Sequence, residues 1–146
     1  MKSIFDKTTR AELVTRIANL NENSKAEWGK MTVSQMMKHC SLWDEMALGK
    51  KHYKQSFLGK LFGKMALKGM MKDEPIKKDL PTVSSFKITG ITNFNEEKKC
   101  WLKLLDEYDD FEGDGIIHPF FGKITKLQVG LLAYKHTDHH LKQFNL

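Results

Sequence analysis

The stretch Tyr134-Lys135-His136-Thr137-Asp138-His139-His140-Leu141-Lys142-Gln143 puts three of the chain's six histidines within five positions. His136 and His140 stand four residues apart, so on an α-helix their side chains lie about 40° apart around the axis, one turn above the other. Two imidazoles so placed can grip one metal ion, with a third ligand supplied by another element. The same spacing also occurs on solvated helix faces, so the neighbours decide. Val129, Leu132 and Ala133 flank the pair, which sets it at the mouth of an apolar helix-bundle interior. His139 lies about 100° from His140 and is the poorer candidate.

Working outward, this helix starts at Thr125 and runs to about Phe144. Thr125 and Gln128 form a capping box, in which the threonine oxygen accepts one orphan N–H and the glutamine reaches back to another. The segment Gly29-Lys30-Met31-Thr32-Val33-Ser34-Gln35 echoes Gly122-Lys123-Ile124-Thr125-Lys126-Leu127-Gln128 and opens an earlier helix at Thr32, which continues to about Leu48. Counted from each cap threonine, His39 falls seven residues on, and His136 and His140 fall eleven and fifteen on, so all three project close to the phase of their cap. Gln35, Met36, Leu42, Trp43, Met46 and Ala47 share the sector of His39, while Lys38, Ser41, Asp44 and Glu45 lie outside it. A histidine on an apolar face is often a satisfied core residue. The phase shared with His136 and His140 favours a ligand instead.

Two further helices complete an all-α reading. The first begins near Thr8 or Thr9, with Thr9 and Glu12 spaced as a capping box, and ends near Leu20; Leu13, Val14, Ile17 and Leu20 are its buried stripe. The other runs from Asn93 or Asn95 to about Phe111, burying Trp101, Leu104, Leu105, Tyr108 and Phe111. Gly113 to Gly122 reads as a loop. The connection from Gly49 to Thr92 is too long for a bare loop and is expected to carry short helical structure. There Phe57, Leu58, Leu61, Phe62, Met65, Met70 and Met71 make an apolar face, with Lys60, Lys64, Lys68 and Lys72 recurring every fourth residue. Such a helix can meet an anionic membrane, nucleic acid or an acidic partner, but the plainer reading is a solvated lysine face over a buried apolar one. Thr82 to Gly90 reads as an extended crossing segment.

A chain of 146 residues, 29% charged and 40% hydrophobic, is expected to form one domain spanning 1-146. No stretch reads as a signal peptide or transmembrane span, which points to a cytoplasmic protein. Cys40 and Cys100 lack Cys-x-x-Cys spacing and read as reduced core residues. Lys50 to Lys78 holds nine lysines against Asp73 and Glu74, an excess of +7 beside a whole-chain charge of +6. The acidic run Asp106 to Asp114 opposes it and invites a contact between the two. Leu127, Leu131, Tyr134 and Leu141 form a second apolar stripe on the last helix, from which a homodimer is expected. Nucleic acid is not expected as a partner.

Four stretches together resemble a small uncharacterised bacterial branch of the DinB-like superfamily: Trp28-Gly29-Lys30-Met31-Thr32-x-x-Gln35-Met36-x-x-His39-Cys40, Pro81-Thr82-Val83, His118-Pro119-Phe120-Phe121-Gly122, and His136-x-x-x-His140-x-x-Gln143. The resemblance covers nearly the whole chain. It implies a four-helix bundle with a long crossover between its second and third helices, often dimeric, and a divalent metal held by His39, His136 and His140. Gln143 is kept from the family pattern and is the candidate to support a ligand, whereas Leu141-Lys142 stands where Arg-Gly is usual. Relatives with an assigned activity include transferases and isomerases that use a low-molecular-weight thiol. The resemblance therefore implies a metal-dependent thiol transferase, or less directly a hydrolase, with Ni²⁺, Zn²⁺ or Fe²⁺ all compatible with imidazole ligands. The alternative is a non-catalytic stress or binding protein, with a structural metal or none and a basic surface for an anionic partner.

Overall fold

The computed structural model describes residues 1–146. Its helices are α1 (Lys7–Ala18), α2 (Val33–Ala47), α3 (Phe57–Met70), α4 (Phe94–Asp106) and α5 (Lys126–Gln143), with strands β1 (Gly115–His118) and β2 (Gly122–Thr125) ahead of α5 and 3-10 turns at Ser84–Phe86 and Glu107–Asp110. The twin capping boxes form as read: Thr32 accepts from the Gln35 N–H and Thr125 from the Gln128 N–H, each glutamine returning to the cap backbone. The first helix departs from its expected cap. Asp6 accepts from the Thr9 N–H at 2.7 Å, so a carboxylate one turn earlier takes the place of the Thr9–Glu12 box.

Four helices pack in a ring, α1 against α4, α4 against α2, α2 against α5 and α5 against α1. Leu13, Ile17, Met36, Met37, Met46, Trp101, Leu105, Val129 and Leu141 fill the centre with essentially no exposure. Each such side chain contributes about 1.5–3 kcal/mol by leaving water. Because α2 touches both α4 and α5, it is buried over a wider arc than the His39 sector alone. Ser41 and Asp44, outside that sector, are buried too. Asp44 accepts from Trp101 Nε1 at 2.9 Å and Tyr108 OH at 2.7 Å.

The all-α expectation holds in its coarser form: the chain is mostly helical, but it is not a clean four-helix bundle. Residues read as a loop form an antiparallel hairpin, with Gly115 opposite Thr125 and His118 opposite Gly122. Four-residue strands show little period-2 pattern, and the Pro119-Phe120-Phe121 turn lacks the Asn-Gly or Asp-Gly signature of short hairpins. The long connection does carry a helix, α3. The segment read as extended contains a 3-10 turn that buries Phe86.

Of the apolar face expected on α3, only Met70 and the following Met71 pack against the core, and the lysines are exposed as read. The buried side of α3 is Gly59, Gly63 and Leu67, while Phe57, Leu58, Leu61, Phe62 and Met65 are exposed. The glycines explain this: a Cβ at Gly59 or Gly63 would lie 2.5 or 2.2 Å from the Phe120 carbonyl oxygen. Only a face without side chains can lie so close to the hairpin turn. Lys50–Glu107, at 2.6 Å, joins the basic segment to the acidic run. Asp109 is met instead from α1, by the buried Arg10 and by Lys7. Leu141, one member of the expected dimer stripe, is wholly buried within the chain, and Leu127 is the exposed one. Cys40 is buried and Cys100 partly so, both as free thiols.

Candidate metal centre

Three histidines meet where α2 crosses α5. His39 and His140 are buried and His136 is partly exposed, and one nitrogen from each lies within 4.8 Å of the others. His39 Nε2 and His136 Nε2 are 3.0 Å apart. The sequence placed these side chains by helical phase, and the structure brings all three together. His139 turns away to pack on Trp28, ring centroids 5.6 Å apart, beside the Ile76 backbone.

The hydrogen bonds behind the rings decide which nitrogens are free. A carbonyl can only accept, so the 2.9 Å contact between His39 Nδ1 and the Phe86 carbonyl puts the His39 proton on Nδ1. Gln143 Nε2 donates to the Trp28 carbonyl at 2.7 Å, which leaves Gln143 Oε1 to accept from His140 Nδ1 at 2.8 Å. Both histidines therefore present an Nε2 lone pair towards the cluster. Because His39 Nε2 accepts, His136 donates in their mutual contact, and offering that nitrogen to a metal requires the other neutral tautomer of His136.

Two loop segments distant in sequence converge on these contacts. Gly29, with φ of +79°, turns the chain so that the Trp28 carbonyl meets Gln143, and a Cβ at Gly29 would stand 2.7 Å from Gln143 Nε2. The Thr82 to Gly90 segment supplies the Phe86 carbonyl. Trp43 stacks on His136 with centroids 5.6 Å apart and planes at 26°, covering one face of that ring.

His118 sits beyond Trp43 and Phe86, its ring 6.3 and 6.4 Å from theirs. Its Nδ1 accepts from the backbone N–H groups of Phe120 and Phe121, both at 3.1 Å, so its proton is on Nε2. His118, Trp43 and the Phe86 carbonyl were not singled out as site residues from sequence. The only signal was that each falls in or beside a motif stretch.

The electrostatics keep the cluster neutral. Burial lowers the pKa of His39 against the opposing Phe86 carbonyl, and lowers His140 to about 3 with further repulsion from His39. His136 is pushed well below the ordinary value by burial and then by His140 and His39. Burial alone takes His118 to about 4. No carboxylate offsets these shifts. Neutral imidazoles with aimed lone pairs are the form that binds a divalent ion. Two nitrogens 3.0 Å apart can share an ion at the usual distance of about 2.0–2.1 Å, and the third ligand nitrogen lies within 4.8 Å of both. The residues therefore fit a bound metal, and the three histidines could hold one.

The family model for DUF1569, described as a protein of unknown function, matches residues 4–146, and the chain belongs to that family. No curated protein and no solved structure matches the chain.

Proposed function

We propose that this chain is a divalent-metal-binding protein of DinB-like type, and that it transfers a group to or from a low-molecular-weight thiol. The observation that carries the first part is the fixed pair of tautomers: His39 and His140 are each held through Nδ1–H by a buried acceptor, with Nε2 turned to a common point. Carbonyl and amide partners of this kind recur behind metal-ligating histidines. A set of three neutral imidazoles leaves coordination positions free.

When bound, a divalent ion there would supply Lewis acidity, lowering the pKa of a coordinated thiol or water. His39, His136 and His140 would hold it. Phe86 and Gln143 orient two of those rings, and Trp43 stacks on the third. His118 carries an Nε2–H that no protein acceptor takes up. It stays neutral across the physiological range, because its pKa lies near 4.

The experiment is to load the purified protein with Co²⁺ and titrate a small thiol. A sulfur-to-metal charge-transfer band that His136→Ala abolishes is the expected result. Cobalt binding without such a band would remove the thiol and leave the metal.

A further inference from the structure

α3 is held to the rest of the molecule by its glycine side and its C-terminal end. Gly59 and Gly63 lie against the Phe120 carbonyl, and Lys135 Nζ donates to the carbonyls of Met70 and Lys72 at 2.7 and 2.8 Å. Rolling the helix to bury its apolar side would break these contacts. The fold thus fixes five large apolar side chains in solvent: Phe57 is 75% exposed, Leu58 58%, Leu61 60%, Phe62 49% and Met65 70%. At about 100° per residue they cover one continuous sector of the helix. An apolar patch of this kind marks a contact surface.

The charges beside the patch say what it meets. Lys60, Lys64 and Lys68 run along one edge of that sector, Lys54 precedes the helix and Lys72 follows it, and all are exposed. α3 contains no acidic residue, and none of these five lysines is paired with a carboxylate. A second copy laid against this face would bring two unneutralised lysine rows together. Nucleic acid would use the lysines and leave the five apolar side chains in water. A bilayer surface with anionic headgroups satisfies both, taking the apolar side chains into the headgroup boundary and the ammonium groups onto the phosphates. We propose that α3 docks the protein on an anionic membrane surface. The helix lies in the plane of that surface over about 20 Å. The attachment is peripheral, since no helix is long and apolar enough to cross a membrane.

The test is co-sedimentation of the full chain with vesicles of phosphatidylcholine alone and of phosphatidylcholine mixed with phosphatidylglycerol. The wild type is expected to pellet with the mixed vesicles only, and less at high salt. The double variant Leu61→Asp/Met65→Asp is expected to bind them at least tenfold more weakly. Both positions face solvent, so an unchanged circular-dichroism melt in the variant separates lost docking from lost folding. Lys60→Gln/Lys64→Gln is expected to weaken binding roughly tenfold or more. The proposal is overturned if the wild type pellets with neither vesicle, if Leu61→Asp/Met65→Asp binds as the wild type does, or if the wild type is a dimer that these substitutions make monomeric.

Discussion

α2 buries polar groups on two sides, and the two clusters are built differently. Towards α4, Asp44 is 2% exposed and accepts from Trp101 and Tyr108, one donor to each oxygen. Towards α5, His39 engages its outer nitrogen with Phe86 and points the inner one at His136 and His140. In the first cluster Trp101 Nε1–H and Tyr108 OH each find their acceptor inside the core. In the second, the inner ring nitrogens of His39, His136 and His140 gather within 4.8 Å of one another with no carboxylate among them. Burial of a polar side chain thus does not mark a functional site; a buried set with spare, aimed valence does.

Removing the Asp44 cluster should have the largest effect on stability. Asp44→Ala leaves Trp101 Nε1–H and Tyr108 OH without their acceptor in the core, which should cost about 3 kcal/mol in urea denaturation. The affinity of the folded variant for a divalent metal should stay within about twofold. If metal binding falls as far as stability, the two clusters are not separate.

Gln143→Ala tests the histidine cluster from behind. His140 loses the acceptor that fixes its tautomer, and metal affinity should drop about 10- to 100-fold, read by competition with a chromogenic chelator. An unchanged affinity would mean that the amide only ties α5 to the Trp28 turn.

The two clusters also pull stability in opposite directions with pH. Burial raises Asp44 to about 7, against the ordinary 3.8, so its contribution is fully present below pH 3.8 and is lost as pH rises through 7. Burial lowers His118 to about 4 and His140 to about 3, so their contributions are present above the ordinary 6.5 and are lost as pH falls towards those values. Asp44→Asn removes only the first effect. Its stability should therefore climb more steeply than that of the wild type between pH 4 and 6.5, by about 1 kcal/mol per pH unit. Parallel slopes in metal-free denaturation would contradict the assignment.

Much of this contrast could be read from the sequence, and the unread part has physical causes. The cap-phased positions of His39, His136 and His140 depend on local helix geometry, which the Thr32 and Thr125 boxes fix, so their meeting followed from counting residues. Asp44 was invisible because its burial depends on α4 lying against a second side of α2, a long-range fact with no local period. His118 and Phe86 were hidden for the same reason, since one sits on a strand of four residues and the other in a single 3-10 turn. On α3 the apolar residues point to a buried face that the structure leaves in solvent. The packed face was set instead by Gly59 and Gly63, whose lack of side chains lets the hairpin turn approach. Glycine spacing carried the correct signal there, and hydrophobicity masked it.

Equilibrium dialysis of the apo-protein against Zn²⁺, with His136→Ala alongside, decides whether the three histidines form one metal site. The wild type should bind one equivalent and the variant at least a hundredfold more weakly, with both proteins equally helical by circular dichroism. Stoichiometric binding that survives loss of His136 would place the metal elsewhere.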